Sequence, residues 1–187
     1  MSIRSFIALK IDPEVKKNLT KMIRQFEKVS SRVKWVQPSA MHLTLKFLGD
    51  IDRVKAEKLL NILDKISAKY SPFDLSCSGI GTFPIKSRNP KVIWAGITNN
   101  SFIKGIYEDI EAEAQKIGFP KEKRSFHPHL TLGRVKKRAE TQKLIPELER
   151  TKNKDFGKTK VNELILFEST LTPQGPVYRI LHESPLR

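Results

Sequence analysis

The chain has 187 residues but only one cysteine, Cys77, and its apolar residues never form a long run. One cysteine cannot form an internal disulfide, and it excludes the cysteine-based structural zinc sites. Because Cys77 lies in an apolar, strand-like stretch, we expect a small buried hydrophobe in a reducing compartment. A helix that spans a bilayer needs about 20 apolar residues. Nothing in the chain approaches that length, so we expect no membrane segment.

Acidic residues are scarce compared with basic ones. Asp and Glu number 20 against 35 Lys and Arg, which gives a formal charge of +15 and a pI near 10. Such an excess attracts polyanions, so nucleic acid is the leading class of partner, although a basic surface without a ligand is the alternative. The basic residues are scattered along the sequence, which disfavours a membrane-surface helix. Met1 to Arg4 do not resemble a secretory signal, and we expect a cytoplasmic protein.

Apolar periodicity predicts a mixed α+β protein. Asp12-Pro13-Glu14 is typical of a helix start, with an N-cap followed by proline. Pro146 should shorten the last helix. The composition of Lys152–Lys158 predicts a polar loop. The predicted strands are Ser5–Ile11, Val33–Val36, Met41–Leu48, Phe73–Ser78, Val92–Ile97, Leu130–Val135, Val161–Ser169 and Val177–His182; the predicted helices begin near Asp12, Asp52, Ser101 and Glu140.

Two short segments are nearly copies of each other: His42-Leu43-Thr44-Leu45 and His129-Leu130-Thr131-Leu132. On a strand, alternate side chains share a face, so each segment presents an imidazole and a hydroxyl on one side and leucines on the other. Each segment occupies the same place in an order of strand, helix, motif strand, helix, strand. We interpret this as an internal duplication that sets the two motif strands on either side of a groove.

The paired motifs suit chemistry at a phosphate. Cleaving a phosphodiester requires a base for the nucleophile and an acid for the leaving oxygen, and two opposed histidines, His42 and His129, provide both near neutral pH. Thr44 and Thr131 could donate hydrogen bonds to the non-bridging oxygens. Arg134 could add a charged fork, although a structural or RNA-contacting role fits it equally well. A single His-x-Thr segment on a strand is weak evidence for catalysis. Two copies at matching places in the two halves are much stronger evidence.

Two further histidines accompany the motifs. His127 precedes Pro128 and lies two residues before His129, so it could share the same face. We interpret it as a supporting or turn residue. We expect His182 to lie on a surface strand. A metal-dependent phosphoesterase that uses His42, His127 and His129 is an alternative, but no HExxH motif or carboxylate-rich cluster accompanies them.

The nonapeptides Met41–Gly49 and Phe126–Arg134 resemble the 2H phosphoesterase superfamily, and within it the RNA 2′,3′-cyclic phosphodiesterases, also described as 2′-5′ RNA ligases. Arg4–Ile11, Gly81–Pro84 and Val92–Gly96 follow in family order. The resemblance implies a bilobal α+β fold in which two duplicated lobes with antiparallel sheets are related by pseudo-twofold symmetry around an active cleft. It also implies that residues 1–187 form one domain of two interleaved lobes.

The same resemblance implies hydrolysis of an RNA 2′,3′-cyclic phosphate to a 2′-phosphomonoester without a metal or other cofactor. His42 would be the proton donor, His129 the proton acceptor, and Thr44, Thr131 and Arg134 would bind the phosphate. The expected partner is RNA, tRNA-like or other, with a cyclic phosphate end, and the expected state is a monomer. Ligation in the reverse direction and a non-catalytic RNA-binding module are the alternatives. The sequence does not determine whether ATP or GTP binds. It also does not determine whether a base stacks on Trp94 or on Phe47.

Overall fold

The computed structural model describes residues 2–29, 32–85, 89–98, 101–136, 143–173 and 175–187. Within these ranges the chain forms four α-helices and nine strands. The helices are α1 (Pro13–Val29), α2 (Arg53–Ser67), α3 (Ser101–Lys116) and α4 (Ile145–Thr151). The strands are β1 (Ile3–Leu9), β2 (Val33–Trp35), β3 (Leu43–Ile51), β4 (Phe73–Phe83), β5 (Val92–Ile97), β6 (His129–Val135), β7 (Asp155–Val161), β8 (Glu163–Thr172) and β9 (Gly175–Pro185).

The strands form two antiparallel sheets, which confirms the predicted α+β class. Sheet A has the order β3-β1-β8-β9 and sheet B the order β2-β6-β5-β4-β7. Each motif strand therefore pairs with the strand that opens its own half of the chain, β1 or β5. A later strand of each half crosses over to the other sheet, since β4 joins sheet B beside β5 and β8 joins sheet A beside β1. The two halves are thus interleaved, and both sheets contain strands from both.

The helices form for local reasons and then cover the sheets. In α1 the apolar positions Val15, Leu19, Met22, Ile23 and Phe26 recur at helical spacing and are buried. In α2 the Asp52 carboxylate accepts a hydrogen bond from the Lys55 amide at 2.8 Å, which satisfies an otherwise unpaired first-turn donor. Helix α1 packs against β7, and α2 packs against β8 and β9. Most of the buried apolar residues of both sheets and the helices form one main core.

Several predicted boundaries are wrong. The segment Lys152–Lys158 was predicted to be a polar loop, but β7 begins at Asp155 and pairs with β4 at the edge of sheet B. Only three of the seven residues of this edge strand are buried, Phe156, Thr159 and Val161, so its sequence is mostly polar. Strand β4 runs five residues beyond the predicted end at Ser78, because the bulge at Gly79 (φ +73°) bends the strand and does not end it.

Two further differences concern helix α4 and strand β3. The predicted helix Glu140–Arg150 is observed from Ile145, with Pro146 in its first turn, where proline needs no amide partner. Residues 140–142 lie outside the described part of the chain. Strand β3 was predicted over Met41–Leu48 but begins at Leu43 and continues to Ile51, so His42 lies just before the strand.

Candidate active site

The two motifs occupy equivalent positions in the two sheets. Thr44 of β3 pairs with Ala8 of β1, and Thr131 of β6 pairs with Trp94 of β5. Directly after each threonine the strand register shifts by one residue. The residues that lose their partners are Leu45 and Leu132, the last leucine of each motif. A β-bulge therefore follows both His-Leu-Thr segments at the same point.

Both motif histidines are held by the same hydrogen bond. His42 Nδ1 lies 2.9 Å from the carbonyl oxygen of Ala40, and His129 Nδ1 lies 2.6 Å from the carbonyl oxygen of His127. A carbonyl only accepts, so Nδ1 must carry the proton in each ring. Nε2 is then the nitrogen of each imidazole that is free to exchange a proton with a ligand.

His42 lies in an aromatic environment on sheet A. Its ring centroid is 4.6 Å from that of Phe6 and 5.0 Å from that of Tyr178, which meets it edge-on at 89°. Phe6 belongs to a small second core cluster together with Ala8, Ile165 and Phe167. Burial in these apolar surroundings disfavours the charged imidazolium and lowers the pKa of His42 to about 4, helped by the nearby positive charge of Lys16.

His129 has corresponding neighbours on sheet B. Phe83 meets its ring edge-on at a centroid distance of 5.0 Å, and Trp94 lies at 6.2 Å. The pKa of His129 is lowered, first by burial and then by the nearby positive charge of Arg134, while the hydrogen bond to the His127 carbonyl opposes the shift. In the ligand-free protein both imidazoles are therefore neutral at pH 7.

Trp94 depends on a glycine opposite it. A Cβ atom placed on Gly81 would lie 2.3 Å from the indole ring, so only glycine leaves room for it. The indole Nε1 of Trp94 is buried and has no hydrogen-bond partner within the described residues. The Trp94 ring packs near the rings of Phe83 and His129.

The three residues predicted to bind phosphate, Thr44, Thr131 and Arg134, lie on the motif strands β3 and β6. Thr44 and Thr131 are half-buried, and neither hydroxyl has a hydrogen-bond partner among the described residues. Arg134 is exposed on β6, where it pairs with Val92 and Lys34. Its charge lowers the pKa of His129, and it also counteracts the burial that raises the pKa of Tyr178 on sheet A. Arg134 therefore lies near residues of both sheets, which agrees with the contact between β3 and β6.

The two remaining histidines have other surroundings. The side chain of His127 is exposed, and its main-chain carbonyl holds His129, as a supporting role predicts. His182 lies on β9, where its Nε2 is 2.7 Å from the Asp64 carboxylate, so this hydrogen bond ties it to α2 and away from the motif histidines. Within residues 2–29, 32–85, 89–98, 101–136, 143–173 and 175–187, no group of three or more His, Cys, Asp or Glu side chains is arranged to hold a metal ion.

Sequence reasoning missed the aromatic residues around His42. Phe6 and Tyr178 come from distant parts of the chain, strands β1 and β9, and only the order of sheet A brings them together. Phe6 carries a weak signal, because it alternates with Ala8 on one face of a strand whose other face faces the main core. Tyr178 carries none.

Comparisons with known proteins agree with this arrangement. Residues 9–94 and 100–178 match the family described as LigT-like phosphoesterases. A relative from Methanocaldococcus jannaschii, named RNA 2′,3′-cyclic phosphodiesterase, is 36% identical over 97% of this chain and 99% of its own. A protein of the same name from Thermotoga maritima is 34% identical over 97% of this chain and 94% of its own.

Solved structures show the same fold. A Thermus thermophilus protein superposes with a TM-score of 0.81 at 28% identity and covers 98% of both chains. Escherichia coli LigT complexed with 3′-AMP superposes with a TM-score of 0.79 at 24% identity, over 100% of this chain and 99% of that one. No described helix is long and apolar enough to cross a membrane. The paired motifs, the two interleaved sheets and these matches together show that the chain belongs to the LigT-like family of 2H phosphoesterases.

Proposed function

We propose that the chain hydrolyses the 2′,3′-cyclic phosphate at the 3′ end of RNA to a 2′-phosphomonoester, with His129 as the base and His42 as the acid. The observation that carries this proposal is the matched pair of imidazoles, each fixed through Nδ1 and each presenting Nε2. The names of the relatives in M. jannaschii and T. maritima support the substrate class. Residues of both sheets contribute to one site.

The base step follows from the neutral state of His129. Its Nε2 lone pair accepts a proton from a water molecule as the water oxygen bonds to phosphorus. A lowered pKa keeps that lone pair available at neutral pH. The Nδ1–H bond to the His127 carbonyl becomes stronger when the ring gains positive charge, so it stabilises the imidazolium that forms.

The acid step needs a charged His42. Its Nε2–H gives a proton to the 3′ oxygen as the bond between phosphorus and that oxygen breaks, which leaves the phosphate on the 2′ oxygen. With a pKa of about 4 in the free protein, His42 is neutral at pH 7. The anionic cyclic phosphate supplies the charge that favours its protonation on binding. Substrate binding and proton uptake by His42 are therefore coupled in this proposal.

The remaining residues bind and orient the substrate. The unpaired hydroxyls of Thr44 and Thr131 donate to the non-bridging oxygens, and Arg134 adds a guanidinium fork to the same group. Phe47 is 72% exposed and lies 6.1 Å from Phe6, which in turn contacts His42. Its open ring face lies beside the phosphate position and is suited to stack on the terminal base.

Product analysis tests the proposal. A short RNA with a 2′,3′-cyclic phosphate end is incubated with the protein in excess chelator, and the products are separated by chromatography. We expect a terminal 2′-phosphate as the only new end group. A 3′-phosphate would overturn the assignment of the leaving oxygen. Loss of activity in chelator would contradict metal-free acid–base catalysis.

Ligation uses the same two histidines in the reverse direction. When an RNA with a 5′-hydroxyl is added, water and the hydroxyl compete for the same cyclic phosphate. Water is present at far higher concentration, so we expect 2′-phosphate to exceed joined RNA. Accumulation of a 2′-5′ linked product above the 2′-phosphate would make ligation the principal activity.

A further inference from the structure

The exposed stripe of helix α1 is strongly basic. Its buried side faces the core, and the opposite positions recur three and four residues apart, so they lie on one face. Three of these exposed positions are basic, Lys17, Lys21 and Arg24, and the half-buried Lys16 lies beside them. From Lys16 to Arg24 the stripe extends along the helix for about 12 Å.

The stripe borders a groove. Together with Thr20, Pro38 and Ser39, these side chains line a groove of about 570 Å³ on the surface of the protein. Lys17 pairs with Glu14. Lys21 and Arg24 have no ion-pair partner among the described residues, so their charges are available to an anion.

Two parts of the groove lining are close to His42. Pro38 and Ser39 line the groove, and the next residue, Ala40, supplies the carbonyl that holds His42 Nδ1. Lys16 also lines the groove, and its positive charge is close enough to lower the pKa of His42. The groove therefore borders residues next to the position at which the cyclic end of the RNA would lie.

We propose that this groove binds the sugar–phosphate backbone of the RNA segment on the 5′ side of the cyclic end. This inference rests on the proposed function, because the cyclic phosphate is the 3′ terminus and the rest of the RNA must leave the site in the 5′ direction. A stripe of cations along a groove matches a row of phosphates and carries no base-specific contacts. The groove thus distinguishes RNA from a cyclic mononucleotide, and it does so without sequence preference.

The test compares two substrates on two double variants. Lys21→Gln with Arg24→Gln removes two charges from the groove. Lys58→Gln with Lys65→Gln removes two exposed charges from α2, a helix packed on sheet A. The substrates are a five-nucleotide RNA with a 2′,3′-cyclic phosphate and 2′,3′-cyclic AMP, and circular dichroism melting verifies the fold of each variant.

The groove variant should raise KM for the oligonucleotide by about tenfold or more and leave cyclic AMP hydrolysis within about twofold. The slope of log kcat/KM against log salt for the oligonucleotide should become shallower by about 1.4, or about 0.7 for each lost phosphate contact on a single strand. The α2 variant should match the unmodified protein on both substrates.

Other outcomes overturn the proposal. An equal loss on both substrates, or the same loss in the α2 variant, would show that the groove does not contact the RNA chain. If the groove variant lost binding to anionic phospholipid vesicles and kept full activity on the oligonucleotide, the stripe would be a membrane surface. If the unmodified protein hydrolysed neither substrate, the proposed function itself would fail, and the two failures are thereby distinguished.

Discussion

Phe47 and Arg134 occupy equivalent positions in the two halves of the molecule. Each follows its motif histidine by five residues and comes after the bulge at Leu45 or Leu132. Phe47 pairs with Phe6 on sheet A, and Arg134 pairs with Val92 on sheet B. One half therefore offers an exposed aromatic ring where the other offers a guanidinium. This difference breaks the symmetry of a site whose two histidines are held alike.

Replacement of Phe47 by alanine removes the exposed ring that lies next to Phe6, the aromatic neighbour of His42. Stacking of a base on an aromatic side chain is worth about 1–3 kcal/mol, so we expect KM for 2′,3′-cyclic AMP to rise by about tenfold with little change in kcat. Phe47→Tyr keeps the ring and should behave like the unmodified protein. Steady-state kinetics check both. A fall in kcat without a change in KM would contradict a role in binding the base.

Arg134→Lys retains the charge and loses the planar fork. Because bidentate geometry orients a phosphate as well as attracting it, we expect Arg134→Lys to lower kcat/KM, and Arg134→Gln to lower it further. The affinity for inorganic phosphate, measured by calorimetry, should fall in the same order. Equal kinetics for the lysine variant and the unmodified protein would show that Arg134 contributes only its positive charge and not bidentate geometry.

Replacement of either motif histidine by alanine should lower kcat by at least about a hundredfold, the usual scale of a general acid or base. His127→Ala is the matched control, since it keeps the main-chain carbonyl that holds His129. We expect it to retain kcat within a few-fold. Single-turnover rates on the same cyclic-phosphate RNA measure all three variants. Unchanged rates in His42→Ala or His129→Ala would refute the mechanism.

The pH dependence follows from the two lowered pKa values. The base must be neutral, so activity falls as pH drops through the pKa of His129, which lies below 6.5. The acid must be protonated, so activity falls as pH rises through the pKa of His42, about 4 in the free protein. We therefore expect a bell-shaped profile of kcat/KM with its maximum below pH 6.5.

The profile of kcat should lie at higher pH, because it reports the substrate complex, in which the bound phosphate raises the pKa of His42. Initial rates between pH 4 and 9, at saturating and at low substrate concentration, separate the two profiles. Superimposable profiles, or a flat response of kcat/KM, would show that substrate binding and protonation of His42 are not coupled.

Lys46 and Glu111 form a buried ion pair that ties β3 to the segment before the second motif. The Lys46 Nζ is 2.6 Å from Glu111 Oε1 and 3.0 Å from the Pro120 carbonyl, and Glu111 Oε2 accepts from the Glu122 amide. Lys46→Met leaves a buried carboxylate without its partner, which typically costs about 3–5 kcal/mol. Urea unfolding should show a loss of that size, with much of it recovered in Lys46→Met/Glu111→Leu.

Arg53→Gln is the control for that experiment, because it breaks an exposed pair with Glu57. Exposed pairs contribute about 0–1 kcal/mol, so the free energy of unfolding should hardly change. A loss in Lys46→Met no larger than in Arg53→Gln would show that water reaches the buried carboxylate.

The sequence by itself determined the paired chemistry. Each His-Leu-Thr-Leu segment dictates its own two-sided pattern, because alternation on a strand separates His and Thr from the leucines. The periodicity of α1 and the Asp52 cap likewise act over a few residues, and both helices lie where their signals predict. Local physics is sufficient for such features, since they depend only on nearby residues.

The tertiary structure decided which other residues join the histidines. Simple alternation would place Lys46 beside His42 and send Phe47 and Arg134 to the opposite face, but the two bulges reverse this, and Lys46 is buried in an ion pair. Only long-range pairing reveals a bulge, because it is defined by a mismatch with the neighbouring strand. The same holds for Tyr178, which sheet order carries to His42 from the far end of the chain.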